Sequence, residues 1–455
     1  MKQLLTLFCC CIFWGRLPAQ TITQKLQRAF HAFENDAQLQ YASVGFYVIN
    51  AKTGKVIFDK NSRVGMAPAS TQKIITAATA FELLGKDFRY TTDFAVKNAD
   101  GKSDVYIYPS GDPSFGSWRW ESTREDKIVS RVAAAIQATG PAAPGNIIIN
   151  APGWNTGQIP DGWIWQDIGN YYGAGAAALN WRENQFDLLL QSGKNIGDSV
   201  KIKGTKPVLY KYAISSLAVS AASGTGDNSY IYLPVNNQQA VVRGTIPIHE
   251  DNFTVSGSLP DPARQFAATL LDSLQRGNQQ IFTTYEPVAD KGTIIYSAIS
   301  PSLDSLIYWF LKKSINLYGE ALLKTMALEK TGVAATDSGV VLLQHFWKEK
   351  GLDPAELNLY DGSGLSPLNR VTAHAQVEVL KYAARQSWFP LYLHAFPLYN
   401  GMTMKSGSIS DVKSFCGYQT SHDGNSYIFS FLVNNYNGPA TALVNKMYRV
   451  LDVLK

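Results

Sequence analysis

The sequence has 455 residues, 45% of them apolar and only 17% charged, with 10 Trp, 23 Tyr and 21 Phe. That length accommodates two to four domains with sizeable cores, and the composition excludes a predominantly disordered chain. The 41 Lys and Arg against 36 Asp and Glu leave a formal charge of +5 with no basic run, so nothing marks a nucleic-acid-binding face.

Residues 1–20, MKQLLTLFCCCIFWGRLPAQ, place Lys2 before an apolar stretch from Leu4 to Trp14, then Pro18 and Ala19. This is the pattern of a secretory signal peptide over 1–19. It predicts an exported protein, periplasmic or associated with the outside of the cell. The apolar stretch is shorter than the about 20 residues that span a bilayer as a helix, and no later run is longer, so no stable membrane anchor is expected. Cleavage near Ala19 would remove Lys2 and Arg16, lowering the charge to +3, and would remove Cys9, Cys10 and Cys11. Cys416 alone would remain, with no partner for an internal disulfide, and stability would have to come from packing.

Two β-branched and aromatic runs, 43–50 and 55–59, flank Ala51-Lys52-Thr53-Gly54 and predict a hairpin. The stretch from Ser70 to Leu84 has Ile74, Ala77, Ala78, Phe81 and Leu84 at helical spacing and Gly85 as a stop, with Ser70 at its entrance. From about 90 to 290 the texture is short strand-like runs separated by Gly, Pro, Asn and Asp, with helical patterns only at 125–138 and 260–275. Helices are predicted again over 302–329, broken near Ser314, and over 335–350, 372–385 and 439–454. Strands are predicted over 403–409, 413–420 and 427–433. The order implies one α+β domain, residues 20–90 and 290–455, split by a mostly β insert of 91–289 that divides into two subdomains.

Absent motifs narrow the chemistry. None of the six histidines falls in HExxH or a close pair, so no metal site has local support, and GxSxG, GxxxxGK and GxGxxG do not occur. Ser-x-x-Lys occurs twice, at Ser70-Thr-Gln-Lys73 and Ser410-Asp-Val-Lys413. Only the first opens a helical pattern, where positions i and i+3 share a face and the helix dipole favours an oxyanion. Its structural alternative is a helix cap with a solvated lysine. Ser-x-Asn occurs once, at Ser314-Ile315-Asn316, between two helical runs, where it could also be a cap. Lys-[Ser/Thr]-Gly occurs three times. Lys52-Thr53-Gly54 reads as the hairpin turn and Lys330-Thr331-Gly332 as a helix stop, whereas Lys405-Ser406-Gly407 lies inside a predicted strand. A glycine there marks close approach of a backbone or a ligand.

The order Ser70/Lys73, Ser314/Asn316, Lys405 resembles the penicillin-recognising serine enzymes, with motifs S-x-x-K, S-x-N and K-[ST]-G. The 240 residues between Lys73 and Ser314 are similar to the long insert of the D-alanyl-D-alanine carboxypeptidase/endopeptidase family of the penicillin-binding protein 4 type. So are SGDPSF (110–115), DGWIWQD (161–167), YDGSGLSPLNRVTA (360–373) and KSGSISDVKSFCGY (405–418). Ser406 in place of the commoner Thr, and Ile315 in place of a frequently acidic residue, depart from that pattern. The resemblance implies a penicillin-binding, serine β-lactamase-like transpeptidase domain acting on the stem peptides of peptidoglycan and inhibited by β-lactam antibiotics.

By the same resemblance Ser70 is the nucleophile and Lys73 the general base, whose pKa needs burial and a nearby cation, Lys405, to fall. Ser314 relays a proton, Asn316 holds the peptide amide, and Lys405 with Ser406 binds the terminal carboxylate. Gly407 lines the substrate strand, and the N–H groups of Ser70 and Ser408 form the oxyanion hole. No metal or organic cofactor is implied. The rival readings are a serine β-lactamase and a non-catalytic wall-binding protein that keeps the fold. Trp154, Trp163, Trp165, Tyr171 and Tyr172 read as packing residues rather than a sugar platform, with Asp161 and Asp167 as possible contacts to a diamino acid side chain.

Overall fold

The structure is a computed structural model that describes residues 20–455 apart from 100, 141–142, 235–237 and 277–278. The expected signal peptide and three of the four cysteines lie outside the described residues.

The two ends of the chain build one six-stranded antiparallel sheet. Its spatial order is Leu398–Tyr399, Met402–Ile409, Val412–Thr420, Ser426–Asn434, Ser43–Asn50, Val56–Lys60. Side chains alternate across it with period two. Phe46 and Val48 face the helices Ile22–Glu34 and Ala440–Leu451, together with Phe429, Phe431, Leu443 and Met447. Tyr47 and Ile49 face the opposite layer of helices, Lys73–Leu83, Leu303–Lys312, Asn316–Thr331, Thr336–Glu349 and Ala373–Ala383. The helix Lys73–Leu83 is buried on all sides from Lys73 to Phe81, which is why its apolar pattern wraps the whole cylinder rather than one stripe.

The helix Ile22–Glu34 has no counterpart in the predicted elements, although its sequence carries the signal. Thr21 and Gln24 form a reciprocal capping box, and Leu26, Phe30 and Phe33 recur at helical spacing onto the sheet. The predicted helix from Ser70 also differs at its start. Ala69–Gln72 is a 3-10 turn and the α-helix begins only at Lys73.

Between these parts lie a five-stranded sheet, ordered Ile281–Thr284, Ala143–Asn150, Lys102–Tyr108, Thr91–Ala99, Thr293–Ile299, and two smaller sheets of three and four strands. The helices Glu125–Gln137 and Pro262–Ser273 share one apolar core with them, centred on Phe115, Trp181 and Phe266. Thr293–Ile299 hydrogen-bonds along Thr91–Ala99, so these residues, expected with the C-terminal part, belong by pairing to the inserted sheet. Among the described residues no helix is long and apolar enough to cross a membrane.

Candidate active site

Three segments far apart in the chain meet at the open edge of the six-stranded sheet. The strand Met402–Ile409 pairs with Val412–Thr420 along its length, but its other side is covered by Pro397–Tyr399 only from Met402 to Met404. The turn carrying Ser70 packs on one face of this strand, against Gly407 and the neighbouring Ser414. Gly407 is what lets the two meet. A Cβ there would lie 2.3 Å from Ser414 Oγ, 2.7 Å from the Pro68 carbonyl oxygen and 2.9 Å from the Ser70 nitrogen. Close approach of another backbone, the expected reason for this glycine, is the observed one.

The turn is held from below by buried polar groups. Thr71 Oγ1 and Ser414 Oγ both donate to the Pro68 carbonyl, at 2.7 and 2.6 Å. Gln376 Nε2 donates to Thr71 Oγ1 at 2.9 Å, and Ser430 Oγ from the sheet donates to Gln376 Oε1 at 2.7 Å. Ala69 adopts φ +47°, an unfavourable region for a residue with a Cβ, next to the partly exposed Ser70.

Lys73 is fully buried, which excludes the solvated-lysine alternative, and Ser70 makes no capping bond. Lys73 Nζ has three oxygen neighbours: Ser70 Oγ at 2.9 Å, Asn316 Oδ1 at 2.6 Å and the Ser363 carbonyl at 2.7 Å. A carbonyl can only accept. The amide of Asn316 is oriented unambiguously, because its Nδ2 donates to the Tyr172 carbonyl at 2.7 Å and only Oδ1 can then face Lys73. A neutral amine has two N–H donors and one lone pair. With both donors taken by Asn316 and Ser363, the lone pair is left for the Ser70 hydroxyl proton. Burial first, then the charge of Lys405, push the Lys73 pKa well below the usual lysine value, against the opposing pull of Asp361 and Glu320.

Lys405 is buried on its strand, its Nζ 2.9 Å from Ser314 Oγ and 2.8 Å from the Ser406 carbonyl. Burial lowers its pKa to about 7. Ser314 joins the helices Leu303–Lys312 and Asn316–Thr331 in a left-handed conformation, φ +59°, that turns its hydroxyl onto Lys405. Neither Ser314 nor Asn316 acts as a cap. All five residues expected to carry the chemistry therefore stand in one cluster, and Gly407 and the exposed Ser408 border it. The other matches lie elsewhere: Lys52-Thr53-Gly54 in the hairpin turn, Lys330-Thr331-Gly332 at a helix end with Gly332 at φ +76°. The rejected Ser410/Lys413 pair is not remote, since Lys413 Nζ donates to Ser408 Oγ at 2.6 Å and Ser410 lines the cleft.

The cleft, about 480 Å³, is completed by side chains from the insert, including Arg119, Ile164, Gln166, Asp167, Tyr171 and Tyr172. Asp167 and Ser70 both line it, and burial raises the Asp167 carboxyl pKa. Arg119 is clamped by Glu183, whose carboxylate also accepts from Ser117 and Tyr318. Glu183 sits in three consecutive left-handed residues, Arg182 to Asn184, and no spacing in the sequence reveals it. Asp361 is a second residue absent from the expected set. Its buried carboxylate accepts from Gln72 Nε2, Gly364 N and Asn369 Nδ2 on one oxygen, and from Trp163 Nε1 and Ser366 N on the other. It thereby ties the Ser363 carbonyl loop to the nucleophile turn and to the insert. The signal was present, as Asp361 lies in YDGSGL and Trp163 in DGWIWQD. Packing accounts for Trp154 and Trp163, which are buried, but not for Trp165 and Tyr171.

The chain is similar in sequence and in fold to known proteins. The D-alanyl-D-alanine carboxypeptidase of Actinomadura sp. (strain R39) is 26% identical over 92% of this chain and 83% of its own length. The D-alanyl-D-alanine carboxypeptidase DacB of Haemophilus influenzae is 24% identical over 87% of this chain and 86% of its own. The crystal structure of penicillin-binding protein 4 (DacB) from Haemophilus influenzae superposes with a TM-score of 0.79 at 21% identity, covering 95% of this chain and 99% of that one. The same protein complexed with a β-lactam superposes with a TM-score of 0.74 at 21% identity, covering 94% of this chain and 99% of that one. The fold is thus the α+β penicillin-binding-protein fold that the motifs implied. Residues 26–452 match the model of one family, and the chain belongs to it: the D-Ala-D-Ala carboxypeptidase 3 (S13) family of peptidases.

Proposed function

We propose that this S13 peptidase is a serine D-Ala-D-Ala carboxypeptidase that acts on peptidoglycan stem peptides through an acyl-enzyme on Ser70. The carrying observation is the Lys73 amine, whose two donors are satisfied by Asn316 Oδ1 and the Ser363 carbonyl while Ser70 Oγ lies 2.9 Å away. Lys73 takes the Ser70 proton as Oγ attacks the carbonyl carbon of the D-Ala-D-Ala bond. The oxyanion falls between the N–H of Ser70, at the N-terminal turn, and that of Ser408 on the sheet edge. The substrate lies along the uncovered side of Lys405–Ile409 as an added strand, its terminal carboxylate toward Lys405 and Ser406. The C–N bond breaks as the proton taken by Lys73 passes through Ser314 to the leaving amine, which returns Lys73 to its neutral form; Lys405 contacts Ser314 at 2.9 Å. Water then hydrolyses the ester, with Lys73 again the base. A D,D-endopeptidase reaction uses the same acyl-enzyme with a cross-linked peptide as leaving group.

The catalytic unit is proposed to comprise residues 20–90 and 300–455, with 91–299 as the insert. Export to the periplasm or cell wall is proposed from the apolar block at 4–14 and from a substrate that lies outside the cytoplasm. Fluorescent penicillin should label the wild type covalently and leave Ser70→Ala unlabelled, and peptides ending in D-Ala-D-Ala should release D-alanine. Equal labelling of both proteins would exclude Ser70 as the nucleophile.

A further inference from the structure

The segment 163–168 has two faces. Ile164, Gln166 and Asp167 line the catalytic cleft, while Trp163, Trp165 and Ile168 line a separate cavity of about 860 Å³ inside the insert. The two spaces lie on either side of this one segment, whose residues Trp165–Ile168 form a short helical turn. The far side of the second cavity is formed by Tyr210, Tyr212, Pro260 and Arg264.

Its lining is aromatic and hydroxylated rather than simply apolar. Trp165 is 52% exposed, unusual for an indole in a folded protein, yet it is rigidly held. Its Nε1 donates to the Leu233 carbonyl at 2.9 Å, Tyr232 packs edge-on at 4.9 Å, and the Arg243 guanidinium lies 5.8 Å from the ring. Tyr210 and Tyr212 flank Lys211, which is left-handed at φ +48°. Among the described residues neither phenol hydroxyl has a protein hydrogen-bond partner, and neither does the exposed Asp161 carboxylate on the rim. Fixed aromatic faces beside solvent-accessible hydroxyl and carboxylate groups suit a ligand with apolar C–H faces and equatorial hydroxyl or amide groups, which is a pyranose. The net lining charge is small, which disfavours a polyanion.

We infer that this cavity binds an N-acetylated amino-sugar of a β-linked glycan, with Trp165 as the stacking platform and Tyr210, Tyr212 and Asp161 as hydrogen-bonding groups. This rests on the proposed function only for the source of the sugar. A four-residue stem spans at most about 14 Å when extended, so a stem lying in the catalytic cleft brings the sugar that bears it within reach of the adjoining cavity. The site would favour glycan-linked stems over free peptides.

Isothermal titration of the full chain with chitotetraose tests this. Saturable binding is expected for the wild type, at least tenfold weaker binding for Trp165→Ala, and weaker binding for Tyr212→Ala. Both variants should be acylated by fluorescent penicillin at the wild-type rate, which also certifies their folding. Protein already acylated by penicillin should bind chitotetraose unchanged. Absence of binding by the wild type, undiminished binding by both variants, or competition from penicillin would overturn the assignment. Sugar binding without acylation would instead overturn the proposed function and leave this site standing.

Discussion

Asn316 Oδ1 lies 2.6 Å from Lys73 Nζ because the Tyr172 carbonyl, supplied by the insert, holds the other end of the same amide at 2.7 Å. The insert therefore sets the orientation of the general base although it contributes no atom to the proton transfer. Asn316→Ala would leave one Lys73 donor without its acceptor and free the amine to rotate away from Ser70. Acylation by fluorescent penicillin is expected to slow by about 10²-fold or more, the usual worth of a positioned general base. A rate within threefold of the wild type would show that Ser363 alone orients the lysine.

The Lys73 amine is useful only when neutral. Its pKa is lowered by burial and by Lys405, so acylation persists to lower pH than an ordinary lysine would allow and is lost as pH falls through the depressed value. Replacing Lys405 by Met removes a nearby positive charge, which lets Lys73 hold its proton more tightly. The acid limb of the acylation profile should move to higher pH, and kcat/KM for peptides with a free carboxylate should drop by about 10²-fold. The measurement is the acylation rate of both proteins across pH 4–10. An unmoved acid limb would show that the charge of Lys405 does not reach Lys73.

Gly407→Ala places a methyl group within 3 Å of three atoms, two of them backbone atoms of the nucleophile turn. Neither the strand nor the turn can yield cheaply, since Thr71, Ser414, Gln376 and Ser430 fix the turn to the sheet. Overpacking of this kind costs about 1–3 kcal/mol. A lower thermal midpoint and an acylation rate reduced at least tenfold are expected, because the shift separates the Ser70 N–H from the sheet edge. Unchanged values of both would mean that the turn relaxes freely.

Glu320 is buried under the active-site loop, with the Gly362 N–H donating toward both of its oxygens at 3.1 Å. Burial first, then the neighbouring Asp361, raise its pKa to about 8, above the 4.5 of a solvated glutamate in the unfolded chain. The folded state thus holds the proton more tightly, and the stability this gives is complete below pH 4.5 and is lost as pH rises through about 8. Glu320→Gln removes the ionisation. Relative to this variant, the wild type should lose thermal stability steadily from pH 5 to pH 8.5. Parallel pH profiles for the two proteins would assign the loss to other groups.

The sequence by itself determined most of the secondary structure and the residues proposed to react. Local signals sufficed there: β-branched and aromatic runs at 43–50 and 427–433, helical spacing after Ser70, and three short motifs in a particular order. It also separated Lys405-Ser406-Gly407 from two literal matches, because a turn and a helix stop explain those through neighbouring residues alone. Tertiary structure decided what depends on contacts between distant segments. That the first and last strands share a sheet, that Gly407 abuts Ser70, and that Asp361 gathers donors from residues 72 and 163 are relations across about 200 to 390 positions. Glu183 and Tyr172 act through a left-handed backbone and a main-chain carbonyl, which no residue type announces. The division of 163–168 into a face toward the cleft and a face toward the second cavity likewise exists only once the insert is folded against the catalytic helices, because which side of a segment is a wall depends on what stands opposite it.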